Sequence, residues 1–314
     1  MTFLLLVFSV FSRFGSRVKN ILYNWGILSP KIAPLPVISV GNIALGGTEK
    51  TPLALDILAW LQEKGFHPAL VSRGYKGRWE RNGGVLSDGK TILGTWEEGG
   101  DEPFMVARNL PQAGVFVGKN RFSSCVRARE SGFNVAVLDD GFQHRRLGRD
   151  LDIVLYSPEE KIALREPRSS LRRADICLFK NRDYSVVSRG FFSLWNQEKM
   201  PAETLAKKKA LAFCGIARPQ RFFAQVREEG LDIVAAMTFP DHHAYPPSSL
   251  RKIVRTCRES GAEVILTTEK DGVKIEAQRS SFENFPVFYL KIGLRLEPEA
   301  DETMRRLLEK AARS

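Results

Sequence analysis

Short apolar runs and longer amphipathic stretches take turns along this chain, beginning with VISV at Val37–Val40. A continuous apolar run of four or five residues marks a strand covered on both faces, whereas 3.6-residue spacing marks a helix with one apolar stripe. After Val40 and a glycine-rich turn, Leu53–Lys64 has helical spacing, with Gly65 placed as its C-cap. HPALVSRGYKG supplies a second short strand ending at Ser72, residues 76–96 read as a polar hairpin excursion, and GDEPFMVARNLP opens a helix with Pro103 in its first turn. AGVFVG is then a strand, NRFSSCVRARESG a helix, and FNVAVLDD an apolar strand ending in two aspartates. LDIVLYS and ADICLFKN are further strands. The alternation predicts an α/β fold, a mostly parallel sheet with helices on both faces.

Periodicity weakens from about Tyr184 to Lys209, where the chain also carries KKK. Beyond it ALAFCGIA, RFFAQVREEG, LDIVAAMTF, LRKIVRTCRESG, AEVILTTEKD and FPVFYLKIG repeat the strand–helix alternation, and DETMRRLLEKAARS closes as a helix. The expected organisation is an amphipathic helix over 1–28, a first α/β domain over 29–185, a linker over 186–208 and a smaller α/β domain over 209–314.

The first segment starts with an apolar run shorter than the roughly 20 residues a membrane span needs. It lacks the basic start and small-residue cleavage site of a secretory signal. On a helical projection Ser9, Arg13, Ser16, Arg17, Asn20 and Asn24 form a polar stripe opposite Val7, Val10, Phe11, Phe14, Val18, Ile21, Leu22 and Trp25. Such a helix suits the plane of a membrane interface, or packs on the protein's own core.

Composition changes the picture in two ways. The 314 residues are long enough for a sizeable core, in two domains or one large one, and 43% hydrophobic with 26% charged residues is the balance of a folded protein. The net charge of +11 points to an anionic partner such as nucleic acid, a membrane surface or a phosphorylated substrate, or simply to a solvated basic surface. Cys125, Cys177, Cys214 and Cys257 lie far apart with no CxxC or Cys/His spacing, which indicates neither a disulfide scaffold nor a zinc site and suits a reducing cytoplasm.

Candidate chemistry begins at GNIALGGTEKTP. Gly46, Gly47 and Thr48 offer a turn whose N–H groups could converge on an anion. Lys50 offers charge for the outer phosphates, and Thr51 a hydroxyl for magnesium. The string follows a buried strand and opens an amphipathic helix, the setting of a P-loop. Asp139 and Asp140 end another apolar strand, where an acid can reach the metal of a neighbouring phosphate loop, and His144, Arg145 and Arg146 put cations beside them. Asp101 starts a helix, where an acid is also a common cap. In FPDHHAY, Asp241 stands beside His242 and His243, a pairing able to orient or carry a proton or simply to sit on a surface loop. Arg165, Arg168, Arg172 and Arg173 cluster in LREPRSSLRRAD, as phosphate contact or an exposed basic face.

Taken together, PVISVGNIALGGTEKTP, SRGYKG, GDEP, VLDDGFQHRRLGRDLDIVL, LREPRSSLRRAD, AFCGIARPQRFF, FPDHHAY and LTTEKDGVK resemble the tetraacyldisaccharide 4′-kinase family in motif, order and spacing, from about Leu4 to Lys274. The resemblance implies a P-loop NTPase-like kinase domain over 29–185. It also implies ATP and Mg2+, and transfer of the γ-phosphoryl group to the 4′-hydroxyl of the lipid A disaccharide precursor. A peripheral position on the cytoplasmic face of a bacterial inner membrane follows, with neither nucleic-acid nor protein partner expected. Residue by residue, it implies nucleotide contact by Gly46, Gly47, Thr48, Lys50 and Thr51, and metal contact by Thr51, Asp139 and Asp140. It assigns catalysis to Lys50, Asp101 as base and His242 as its helper, and substrate contact to Arg73, Gln143, His144, Arg165 and Glu166.

Two stretches depart from the family pattern. Glu49 stands where the loop has glycine, so a side chain is expected to strain the turn and bring a carboxylate near the phosphates. SPEEKIALREP is shorter than the glycine/proline-containing stretch usual before that motif. The alternatives are a family member with weak or no activity because of Glu49, and a basic nucleic-acid-binding ATPase. The latter calls for aromatic–basic interleaving that the chain does not display.

Overall fold

The structure, a computed structural model, describes Asn20, Leu22, Tyr23 and residues 25–44, 49–158, 164–282 and 284–314. The stripe expected over residues 7–25 therefore falls almost wholly outside the described residues. Among the described residues no helix is long and apolar enough to cross a membrane.

The first sheet contains β1 (Val37–Asn42), β2 (Pro68–Ser72), β3 (Gly84–Asp88), β4 (Gly114–Val117), β5 (Val135–Asp139), β6 (Leu151–Tyr156) and β7 (Ile176–Phe179). Their order is β3-β4-β2-β5-β1-β6-β7, parallel throughout except for β3, which lies antiparallel on β4 at the edge. All six residues of β1 are buried, as a strand sealed by helices on both faces requires. Helices α1 (Lys50–Glu63), α2 (Trp96–Gly99), α3 (Asp101–Asn109) and α4 (Arg121–Glu130) connect these strands. Ile38 and Val40 share one core with Leu53, Ile57 and Leu61 of α1 and Val106 of α3. Val37 and Leu138 face the opposite core with Cys125 and Ala128 of α4. Burying each such aliphatic chain contributes about 1.5–3 kcal/mol. The polar excursion expected over 76–96 supplies a 3-10 turn, β3 and α2.

A second sheet contains β8 (Tyr184–Ser193), β9 (Lys199–Met200), β10 (Lys209–Cys214), β11 (Asp232–Thr238), β12 (Val264–Thr268) and β13 (Val287–Leu296), in the order β11-β10-β12-β13-β8-β9. Helices α5 (Ala202–Ala206), α6 (Pro219–Glu228), α7 (Pro247–Glu259) and α8 (Glu269–Ile275) accompany it, and α9 (Pro298–Ala312) ends the chain. Phe222, Phe223 and Val226 of α6 cover one face, and Leu250, Ile253 and Cys257 of α7 the other.

Two boundaries differ from the sequence reading. The span 186–208, expected as a linker, holds most of β8 together with β9 and α5, and β8 is the antiparallel neighbour of β13 along nine residues of that strand. The β8–β13 ribbon joins both cores: Tyr184 and Leu294 belong to the first, Phe191 and Leu290 to the second. Helix α9, expected in the second domain, packs Met304, Leu308, Ala311 and Ala312 into the first core against β1 and β6.

Candidate active site

In the first sheet β1 lies between β5 and β6, while its own connection runs through α1 to β2 beyond β5. The carboxyl ends of the strands diverge at such a switch point and leave a crevice. Gly46, Gly47 and Thr48, expected in the turn there, lie outside the described residues. Glu49 directly before α1 has φ 55° and ψ 30°. That left-handed conformation is the one glycine adopts freely, so the turn keeps its glycine-type geometry at a cost of about 1–2 kcal/mol rather than being barred by the side chain. The Glu49 carboxylate is drawn across the cleft, with Oε1 3.1 Å from Arg221 Nη1 on α6.

Lys50 Nζ donates to Asn42 Oδ1 at 3.2 Å and lies 3.1 Å from Asp140 Oδ1. Thr51 Oγ1 donates to Asp139 Oδ2 at 3.2 Å. Strand register brings these groups together, because Val40 pairs with Asp139 in the β1–β5 ladder and the acid pair leaves the sheet beside the loop. Asp139 is buried and its Oδ1 has no hydrogen-bond partner among the described residues. Burial raises its carboxyl to about 6 against the pull of Lys50, with Asp140 and Glu102 adding to the rise. Burial acts likewise on Asp140, but Lys50 and Arg165 outweigh it and bring that carboxyl to about 2. Arg165 Nη1 is 2.7 Å from Asp140 Oδ2. A buried, partnerless carboxylate oxygen next to a hydroxyl is a hard-oxygen donor set short of a cation, and it fits magnesium.

The facing wall comes from α3 and the second sheet. Gly100 is the cap of α3 and Asp101 its first helical residue; Asp101 is buried, and its Oδ2 lies 3.0 Å from His242 Nδ1 and 3.1 Å from Lys274 Nζ. Lys270 Nζ is 3.3 Å from His242 Nε2. An ammonium can only donate, so Nε2 accepts and Nδ1–H donates to Asp101. Burial works against the Asp101 charge, but the His242 hydrogen bond, Lys274 and Lys270 outweigh it and hold the carboxyl well below its usual range. Lys270 also meets Glu102 at 2.8 Å and Asp241 at 3.3 Å; these acids hold its ammonium above the ordinary range despite burial. Tyr75 packs edge-on against His242 at 5.3 Å. His243 instead stacks on Phe239 at 4.8 Å and its Nε2 meets Ser249 Oγ at 2.8 Å, a packing role. Four residues of this cleft, Glu49, Asp140, Asn181 and His242, are non-glycine residues with positive φ, a clustering of backbone strain found at functional sites.

Glu102, His242 and Lys270 line the same cleft of about 1130 Å3 as Lys50, Thr51 and Asp139, whereas Asp101, 3% exposed, stands behind His242 and off the lining. Arg73, Gln143, Arg165 and Glu166 also line the cleft, but His144 does not; it sits in the turn after β5, its N–H bonded to the Gly141 carbonyl. Gln143 Nε2 donates to the Asn42 carbonyl at 2.6 Å, and Arg73 is paired with Glu80 at 2.6 Å. The arginines of LREPRSSLRRAD serve separate partners: Arg173 pairs with Glu166 and lies over Phe142, and Arg168 lies over Tyr156. Lys270, Lys274, Asp271 and Arg221 carried no role in the sequence reading. The string TTEKDGVK could have pointed to the first three, since it closes a strand and opens a helix with two lysines and an acid.

Comparison with known proteins bears on this geometry. The family model described as LpxK, tetraacyldisaccharide-1-P 4′-kinase, matches residues 1–311. The tetraacyldisaccharide 4′-kinase of Pelobacter propionicus is 36% identical, covering 98% of this chain and 92% of its own length. That of Syntrophus aciditrophicus is also 36% identical, covering 94% and 90%. A crystal structure of Aquifex aeolicus LpxK in complex with ATP superposes with a TM-score of 0.79 at 29% identity, covering 98% of both chains.

Proposed function

The chain belongs to the tetraacyldisaccharide 4′-kinase family, and we propose that its cleft transfers the γ-phosphoryl group of ATP to the 4′-hydroxyl of the tetraacyldisaccharide 1-phosphate precursor of lipid A. The observation that carries this reading is the pairing of opposed groups in one cleft: Lys50, Thr51 and Asp139 on one wall, and on the other His242, which is bonded to the buried Asp101 behind it.

Phosphoryl transfer needs positioning and charge more than covalent chemistry. The N–H groups at the start of α1 and the Lys50 ammonium receive the nucleotide phosphates. Thr51 and Asp139, with Asp140 beside them, are the residues that would hold magnesium, which supplies neutralising charge to the phosphoryl oxygens. Asp140 is spoken for by Lys50 and Arg165, so its first task is to orient those cations. The acceptor hydroxyl oxygen forms the new P–O bond as the bond to the bridging oxygen of ADP breaks, and the hydroxyl proton passes to the Asp101 carboxylate. His242, fixed as the Nδ1–H tautomer by Lys270, keeps that carboxylate turned toward the acceptor. Arg73, Gln143, Arg165 and Glu166 form the substrate-side lining.

The acceptor is a lipid, and the chain meets it at a membrane surface. Trp25, Ile27 and Ile32 are 75%, 62% and 79% exposed and offer an apolar surface near the start of the described chain. The net charge of +11 suits anionic headgroups, and ATP assigns the work to the cytoplasmic face of the inner membrane. Incubating the protein with ATP, magnesium and the lipid disaccharide is expected to add one phosphate at the 4′ position, read by mass spectrometry and 31P NMR. Asp101→Asn and Lys50→Ala should each lower turnover by about 10²–10⁴. ATP hydrolysis with no phosphorylated lipid would sink the reading.

A further inference from the structure

Lys274 is 2% exposed, and its ammonium has a buried carboxylate on each side: Asp101 Oδ2 at 3.1 Å and Asp271 Oδ1 at 3.1 Å. The two acids come from different lobes, Asp101 from the first turn of α3 and Asp271 from α8. Asp271 is itself immobilised, because its Oδ2 accepts from the Gly215 N–H at 2.8 Å and the Thr268 hydroxyl at 2.8 Å. Gly215 follows β10 and Thr268 ends β12, so the chain Asp101–Lys274–Asp271 anchors one carboxylate of the first lobe to two strand ends of the second. An added Cβ at Gly215 would lie 2.9 Å from the Tyr245 hydroxyl and 3.2 Å from Asp271 Oδ1, so backbone and carboxylate fit there only with glycine.

His242 alone cannot do this. It touches the same Asp101 oxygen, but it stands on a proline-bounded loop at φ 61°, whereas Lys274 stands in a helix with its Nζ enclosed. Without Lys274 the acid would keep His242 on its loop and the more distant Lys270, but no cation in direct contact to hold it ionised and in place. The Lys274 ammonium at 3.1 Å favours the ionised carboxylate and fixes its place.

We propose that Lys274 is a positioning residue for phosphoryl transfer: it clamps the Asp101 carboxylate across the interlobe seam, anionic and oriented toward His242. This rests on the reading of Asp101 as the proton acceptor. The groups facing Asp101 are His242 and Lys270 from the second lobe and Lys274 itself; behind them lie Asp271, Tyr245, Glu102 and Asp241.

The test uses Lys274→Met and, because one missing buried cation leaves two uncompensated acids, the paired variant Lys274→Met with Asp271→Asn, which removes one charge of each sign. In the full chain either variant is expected to lower kcat by roughly ten- to a hundredfold with KM for ATP changed by less than about twofold. The acidic limb of the pH–rate profile should move upward as Asp101 loses its cation. A readout free of turnover is the titration of the Asp101 carboxyl by NMR of the 13C-labelled side chain. Losing the Lys274 cation removes part of what holds Asp101 below the usual carboxylate range, so its midpoint should rise in the variants. If kcat and KM change only with the folded fraction, and both the acidic limb and the Asp101 midpoint stay in place, Lys274 is merely structural and the proposal falls. Should the parent chain fail to phosphorylate the lipid, the kinase reading fails, yet a moved Asp101 midpoint still supports the clamp and an unmoved one overturns it.

Discussion

Replacing Glu49 by glutamine and by glycine separates two effects that the wild-type residue combines. Glutamine removes the charge and keeps the left-handed backbone at φ 55°; glycine removes both the charge and the strain. The ion pair with Arg221 spans 3.1 Å between side chains that are 13% and 34% exposed. In that setting it is worth about 1 kcal/mol or less. Relieving the backbone returns about 1–2 kcal/mol. Glu49→Gln should therefore be less stable by up to about 1 kcal/mol, and Glu49→Gly equal to the parent or slightly more stable, as read by denaturant unfolding. Nucleotide affinity should move the other way for the glutamine variant. At about 8 Å and an effective dielectric of about 20, a carboxylate repels each unit of phosphate charge by roughly 2 kcal/mol. Arg221 cancels part of that while it holds Glu49. Removing the carboxylate deletes the part of the repulsion that Arg221 leaves uncancelled, for a net gain of about 1.4 kcal/mol, or tenfold in Kd. Titration calorimetry with ATP and magnesium at fixed ionic strength measures it. Unchanged or weaker ATP binding by Glu49→Gln would refute the electrostatic argument, and an effect confined to Glu49→Gly would assign the whole cost to the backbone.

Asp139 makes stability depend on pH and on magnesium. Its folded pKa of about 6 lies above the ordinary 3.8, so the folded protein holds the proton more tightly than the unfolded chain does. The stabilisation is full below about pH 4 and is lost as pH rises through about 6, close to 3 kcal/mol in all. Asp139→Asn should raise the melting temperature of the metal-free protein at pH 7.5 but not at pH 4, and should abolish the stabilisation that magnesium gives the parent at pH 7.5; equal melting curves at both pH values would contradict this. Changing Trp25, Ile27 and Ile32 together to serine should reduce partition into anionic vesicles at least tenfold, because each large apolar side chain contributes about 1.5–3 kcal/mol when fully buried. Undiminished co-sedimentation would remove these residues from the interface.

The first sheet was legible because buried parallel strands leave unbroken apolar runs, and FNVAVLDD announced both its strand and its acids. The acid pair needed no tertiary knowledge, since two aspartates ending a buried strand emerge at its carboxyl edge. Strand β8 was not legible: in YSVVSRGFFS only Tyr184 and Phe191 are fully buried, and the residues between them are half-covered apart from the exposed Arg189, so neither period appears. Helix α9 carries a clear amphipathic pattern, but a stripe of Met304, Leu308 and Ala311 does not say which sheet it will cover. Lys274 escaped for a related reason. Its partner Asp101 lies 173 positions earlier, and no local spacing records such a contact. His243 and His242 looked alike in FPDHHAY; only packing on Phe239 separates the structural ring from the one facing Asp101.

The return of α9 to the first core sets a clock on synthesis. Residues 37–179 can form their strands early, but one face of β1 and β6 is closed by Met304, Leu308, Ala311 and Ala312. At ribosomal rates of about 5–20 residues per second, that apolar face waits on the order of ten seconds for its cover. The first lobe to be made is thus among the last to be finished, and a nascent chain depends through that interval on whatever in the cell shields an open sheet.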